Sequence, residues 1–142
     1  MPARLLGPDD LALLLGTAPG LFDQPVDPVQ AQAFLADPLH RIAAVLEQDE
    51  ILAFASGTIL LHPDKQPSFF VNEVGTHEGH RRRGHATAAL RILFEAARRS
   101  GCQGICLGTE TDNDAARGLY RRLGADEIAF VGYGWDGAFD LD

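Results

Sequence analysis

Apolar and β-branched residues crowd three stretches of the chain, near Arg41 to Glu47, Ile51 to Leu61 and Ser68 to Thr76, and each reads as a buried strand. Asp49-Glu50 between the first two is a tight turn of hairpin type, so the sheet begins antiparallel. After Gly84 the period lengthens to steps of three and four, with Ala86, Ala89, Leu90, Leu93, Phe94 and Ala97 on one stripe, which predicts a helix over about 84–99 ended by Gly101. A first strand near Ala3 to Leu6 and helices over Pro8 to Leu15 and Pro28 to Ala36 come before these. A strand near Gly104 to Gly108, a helix near 113–123 and a last strand near Glu127 to Tyr133 follow. Strand, helix and strand after a hairpin argue for an α/β fold with a mixed sheet and helices on both faces. Residues 17–27 and 62–67 are loops, and no repeat or low-complexity segment occurs.

The junction of strand and helix carries the most chemistry. Gly79-His80-Arg81-Arg82-Arg83-Gly84-His85-Ala86-Thr87 leads from an apolar strand into a helix N-terminus, where unpaired backbone N–H groups and the positive dipole end favour an anion. Gly84 has no side chain and Ala86 a small one, so phosphate oxygens can approach the backbone, and three arginines add positive charge. Neither GxxxxGK[ST] nor GxGxxG is present, which removes support for a nucleotide hydrolase.

Further on, Thr109-Glu-Thr-Asp-Asn113-Asp-Ala-Ala116-Arg-Gly-Leu-Tyr120-Arg-Arg-Leu-Gly124-Ala125 predicts a short helix with Asp112 or Asn113 as its N-cap and Gly124 just past its end. Asn113, Ala116 and Tyr120 share one face, with a small residue between a polar cap and a phenol. Such a face makes a shallow track for a thin ligand.

Arg81-x-x-Gly84-x-Ala86 and Asn113-x-x-Ala116-x-x-x-Tyr120, in that order and with a Leu-Gly pair after the second, resemble the GNAT superfamily of N-acetyltransferases. The opening Arg4-Leu-Leu-Gly-Pro-Asp-Asp10, with Leu21-Phe22 after it, is similar more narrowly to the type I aminoglycoside 3-N-acetyltransferases. The resemblance implies one domain over 1–142, with a mostly antiparallel sheet of about six to seven strands. It implies acetyl-CoA as co-substrate, held by Arg81, Arg82, Arg83, Gly84, His85, Ala86 and Thr87 at its phosphates and by Val74, Gly75 and Thr76 along its pantetheine arm. Asn113, Ala116 and Tyr120 complete that set, and Tyr120 matches the family tyrosine that faces the sulfur.

Acyl transfer to an amine needs a neutral nucleophile and a proton for the leaving thiolate. Tyr120 is the candidate acid. Glu73, the one carboxylate in the strand 68–76, is the candidate base or the group that orients a cationic substrate; His77 and ordered water stay open as alternatives. No cysteine or serine sits in a recognisable nucleophile setting, so direct attack in a ternary complex is expected. The acceptor reads as a primary amine of a small cationic metabolite or aminoglycoside-like compound. A peptide or protein amine is the enzyme alternative, and a non-catalytic acyl-CoA-binding module is the alternative from another class.

Charge sharpens this picture. The chain of 142 residues has a net charge of −8. Three basic and ten acidic residues give −7 over 1–76, nine basic and five acidic give +4 over 77–122, and five acidic residues give −5 over 123–142. The basic block coincides with the phosphate turn, while the whole is too acidic for a duplex nucleic-acid binder. Cys102 and Cys106 read as core thiols about 13 Å apart along a strand, too far for a bridge. No metal site is expected. With no apolar run of membrane length and no signal-like start at Met1-Pro-Ala-Arg, a cytoplasmic protein without membrane partners is expected. Phe130, Tyr133 and Trp135 could form a seam for a second copy, a homodimer. Specificity is expected from the loops at 17–27 and 62–67 and from the C-terminal tail.

Overall fold

A computed structural model of the chain describes residues 2–137, so the end of the C-terminal tail lies outside the described residues. The chain folds as two compact units, one ending at Gly108 and the other beginning at Thr109.

The first unit is built on a five-stranded sheet in sequence order: β1 (Ala3–Leu5), β2 (His40–Glu47), β3 (Glu50–Leu60), β4 (Ser68–Thr76) and β5 (Ile105–Cys106). The first four strands run antiparallel, and β5 joins β4 parallel. The expected mixed, mostly antiparallel α/β architecture is therefore present, with five strands among the described residues in place of the six to seven expected. The hairpin between β2 and β3 turns on Gln48 and Asp49, whose φ values of 51° and 64° suit the two-residue turn that matches strand twist, and Glu50 already pairs with Glu47. The turn thus falls one residue earlier than Asp49-Glu50.

Alternation along β2 and β3 assigns two faces. Ile42, Ala44, Ile51 and Phe54 join Leu14, Leu21, Ala31 and Leu35 in one buried cluster under α1 (Leu11–Leu15) and α2 (Pro28–Ala36). Ala43, Val45, Ala53 and Ala55, fully buried, point the other way. That second face is where α3 (His85–Arg99) lies, burying Ala89, Leu90, Leu93, Ala96 and Ala97. Both faces being covered explains why these strands read as unbroken apolar runs. At about 25 cal/mol per Å², each fully buried Leu or Phe in them contributes on the order of 1.5–3 kcal/mol.

Local signals fix the element ends. Pro28 opens α2, and the Asp27 carboxylate accepts from the N–H groups of Val29 and Gln30 at 2.8 and 3.1 Å. At the start of the chain, Arg4 makes a two-pronged contact with Asp10, both N–O distances 3.0 Å, while Asp10 also accepts from Gly7 N–H at 2.7 Å. The residues Arg4 to Asp10 thus fasten β1 to the 3-10 turn Pro8–Asp10 that leads into α1.

Two expectations fail at the sheet edge. Only Ile105 and Cys106 of the expected 104–108 strand pair with β4, and an edge strand of two residues buries little: Cys106 is exposed and Cys102 half-buried, both free thiols. They are not the core thiols anticipated.

The second unit is centred on α4 (Asp114–Arg122). Gly124, at φ 88°, takes the position after the helix, and Ala125 N–H returns to Tyr120 C=O at 3.1 Å. Arg117 and Arg121 both grip Glu127, which holds the Glu127 carboxyl below the usual carboxylate range through those hydrogen bonds. The strand expected over Glu127 to Tyr133 does not form. Ile128, Phe130, Val131 and Tyr133 are exposed there, and no ladder partner reaches them among the described residues. β-propensity needs an edge to pair with, and Gly132 and Gly134 weaken the segment further.

Candidate active site

The sheet offers an unpaired edge at the place the strand chemistry requires. β4 pairs with β5 only through Phe69 and Phe70, so Val71 to Thr76 have no strand partner on the side away from β3 among the described residues. β4 also carries a bulge against β3: Ser56 pairs with Glu73 and Gly57 with Val71, leaving Asn72 unpaired, its side chain donating to Thr58 Oγ1 at 2.8 Å. Val74, Gly75 and Thr76 follow this bulge, half-buried, and an extended ligand could add to their free backbone groups.

Gly75 is explained by crowding. A Cβ there would lie 2.6 Å from Phe54 Cε1 and 2.7 Å from the Leu21 carbonyl oxygen. The loop between α1 and α2 therefore rests on this face of β4, pinned by buried Leu21 and by the Phe22 ring stacked on Phe54 with centroids 4.1 Å apart. Glu73, two residues before Gly75, points to the same face. It is exposed, yet partial desolvation, and after it the charge of Asp23, pushes its carboxyl above the usual range. A carboxyl so shifted keeps more proton affinity than an ordinary glutamate, which suits a group that accepts a proton.

The turn before α3 has the geometry of an anion cradle. Gly84 caps the helix at φ 78° with no side-chain cap bond, and Arg82 is also left-handed at φ 64°. The first intrahelical bond is Ala88 N–H to Gly84 C=O at 3.0 Å, so the N–H groups of His85, Ala86 and Thr87 lack intrahelical acceptors. Nothing lies within 4 Å of a Cβ placed on Gly84, so that space is open. Arg81, Arg82 and Arg83 are exposed, and among the described residues none forms an ion pair. Unpaired backbone donors and the positive helix end thus follow directly on three exposed guanidinium groups.

Three imidazoles line the approach to this turn. His77, at the end of β4, accepts at Nδ1 from Gly79 N–H at 3.2 Å, and its ring meets that of His80 edge-on with centroids 5.2 Å apart. His80 and His85 follow at 6.2 Å. His77 faces Glu50 at 3.9 Å across the hairpin, so it contacts a carboxylate of β3 as well as its own turn.

In the second unit, Asn113 caps α4: its Oδ1 accepts from Ala116 N–H at 3.1 Å and its Nδ2 donates to Thr109 Oγ1 at 3.3 Å. This cap holds the face of Asn113, Ala116 and Tyr120 in helical register. Tyr120 is half-buried, and desolvation pushes its phenol up.

Asp23 went unread in the sequence. It sits in a Pro/Gly loop with no periodicity, and only the docking of Leu21 and Phe22 shows that its charge reaches Glu73. It also helps line a cleft of about 330 Å³ within the same loop, beside Phe22 and Gln24.

Known proteins similar to this chain bear on its family and its fold. The chain is 35% identical to the uncharacterized N-acetyltransferase YycN of Bacillus subtilis (strain 168) over 70 residues, which cover 49% of this chain and 44% of that protein, less than half of the relative's length. An aminoglycoside acetyltransferase from an uncultured soil metagenomic sample has a similar structure, with a TM-score of 0.78 at 23% identity over 95% of this chain and 98% of that one. So has the aminoglycoside acetyltransferase AAC(6')-Iy in complex with the bisubstrate analog CoA-S-monomethyl-acetylneamine, with a TM-score of 0.80 at 17% identity over 95% and 97%. At these identities the structures speak for the fold. Residues 11–125 match the Acetyltransferase (GNAT) family, a span that takes in the bulged β4, the arginine turn and the Asn113–Tyr120 helix, and the chain belongs to that family.

Proposed function

We propose that residues 1–142 act as one cytoplasmic acetyltransferase domain that uses acetyl-CoA to acetylate a primary amine of a small cationic acceptor, aminoglycoside-like or another metabolite. The observation that carries this is the open, positive-φ cap at Gly84 with three arginines that form no ion pair among the described residues, following a strand whose edge after the bulge has no strand partner among them. An anionic, elongated cofactor fits that combination. The backbone donors from Gly84 to Thr87 and the guanidinium groups of Arg81, Arg82 and Arg83 would hold its phosphates, Val74 to Thr76 its pantetheine arm, and Asn113, Ala116 and Tyr120 would complete the set. When bound, acetyl-CoA supplies an activated acetyl group as a thioester.

The protein's part is positioning and proton transfer. Glu73, above the usual carboxylate range, takes the proton of the amine directly or through water, and its charge together with that of Asp23 attracts a cation. Tyr120 Oη, protonated at neutral pH as a phenol ordinarily is, would give its proton to the departing sulfur. Aminoglycosides enter the reading because the AAC(6')-Iy neighbour is solved with an acetylneamine analog and this chain carries Glu73 on β4 with Asp23 of the α1–α2 loop near it. Free-thiol release from acetyl-CoA over a panel of primary amines is the test. Release that depends on the amine supports the reading, and a panel with no release despite acetyl-CoA binding refutes it.

A further inference from the structure

The imidazole side chains of His80 and His85, beside the phosphate turn, have no part in the chemistry above. His85 is the first residue of α3, half-buried, at the positive end of the helix dipole. Its neighbours from each side are His80 and Arg83 on the turn and Glu47 at the end of β2, while Glu50 of β3 faces His77 and Glu78 stands exposed on the same turn. The first turn of α3 has no acidic residue to offset a charge on His85. His80, whose ring lies between the other two, has its Nδ1 buried without a hydrogen-bond partner. In the free protein, then, the positive helix end and Arg83 oppose a proton on this ring, and Glu47 works against them. An anion seated on the N–H groups of His85, Ala86 and Thr87 reverses the sign of that potential at the same ring.

We propose that His85, with His80 against it, is a proton-linked gate on the phosphate site: it is neutral in the free protein and takes up a proton when a diphosphate binds, so cofactor affinity rises as pH falls through the neutral range. The inference rests on the proposed cofactor site and concerns its regulation. Desolvation first, and then His80 and Arg83, hold the free imidazole below its ordinary value, in keeping with this direction. By linkage, a ligand that raises the proton affinity of a group must itself bind more tightly when that group is protonated. The consequence is a protein that keeps its cofactor in mildly acidic conditions and releases it more readily in alkaline ones.

The test is calorimetry of dephospho-CoA binding to the full chain in two buffers of different ionisation enthalpy near neutral pH. Dephospho-CoA lacks the terminal phosphomonoester, so its own ionisation is constant across the range. Expected is a net proton uptake and an affinity about three- to tenfold higher at about pH 6 than at about pH 8 for wild type, as a histidine titrating in this interval allows. His85→Asn should lose most of both, and His85→Arg should bind with no uptake and little pH dependence. Histidine ring NMR signals of the wild type, with and without ligand, give a readout that needs no variant to fold: the His85 midpoint should move up on binding. An unmoved midpoint, or equal uptake in wild type and His85→Asn, overturns the gate. Failure of dephospho-CoA and acetyl-CoA to bind at any pH would refute the cofactor reading itself, a separate result.

Discussion

The carbonyl oxygen of Leu21 lies 2.7 Å from where a Cβ on Gly75 would stand, so the α1–α2 loop can rest on β4 only because residue 75 has no side chain. Gly75→Ala should therefore push back both Leu21 and Phe54, costing about 1–3 kcal/mol as an overpacked core does. Denaturant unfolding gives the cost, and faster proteolysis within residues 17–26 would show that the loop has lifted. Unchanged stability and protection would mean that the loop does not bear on β4.

Gly84→Val should abolish tight acetyl-CoA binding. The residue sits at φ 78° in open space, so the loss comes from backbone strain of about 1–2 kcal/mol and from branched methyl groups over the N–H donors, with no core clash. Calorimetry of a folded Gly84→Val protein checks this; wild-type affinity would remove the turn from the site.

Tyr120→Phe should leave thermal stability and cofactor affinity close to wild type while turnover falls about ten- to a thousand-fold. Because burial raises the phenol, the alkaline limb of the wild-type rate profile should lie above the ordinary tyrosine range. Turnover within about twofold of wild type would return Tyr120 to a packing role.

Glu73→Gln should lower kcat/KM at neutral pH, and the loss should shrink as pH rises and the free amine becomes abundant. The sign follows from the shift: a base with a raised pKa acts only once deprotonated, so the wild-type acid limb should fall at higher pH than an ordinary glutamate gives, and this limb should vanish in the variant. Parallel profiles would shift the search to His77 or to ordered water.

Much of this was legible before any coordinates. Gly101 and Gly124 past the helix ends, Pro28 at the start of α2, and a polar cap at Asp112 or Asn113, which the structure gives to Asn113, are local signals whose energetics are settled within a few residues. What was not legible depends on partners distant in sequence. The apolar text of Glu127 to Tyr133 promised a strand, but a strand exists only when an edge pairs with it. Cys-Gln-Gly-Ile-Cys reads as a buried strand, but only Ile105 and Cys106 of it pair, at the sheet edge, so neither thiol is in the core. The bulge at Asn72 and the seat of Leu21 over Gly75 are register facts, and neither leaves a mark in composition or period.

The most direct measurement is the joint assay of free CoA thiol and N-acetylated amine, with both acetyl-CoA and the amine varied. The account predicts equal amounts of the two products and intersecting double-reciprocal lines, as direct attack in a ternary complex requires. Thiol release that ignores the amine, parallel lines, or cofactor binding with no acetylated product would contradict it.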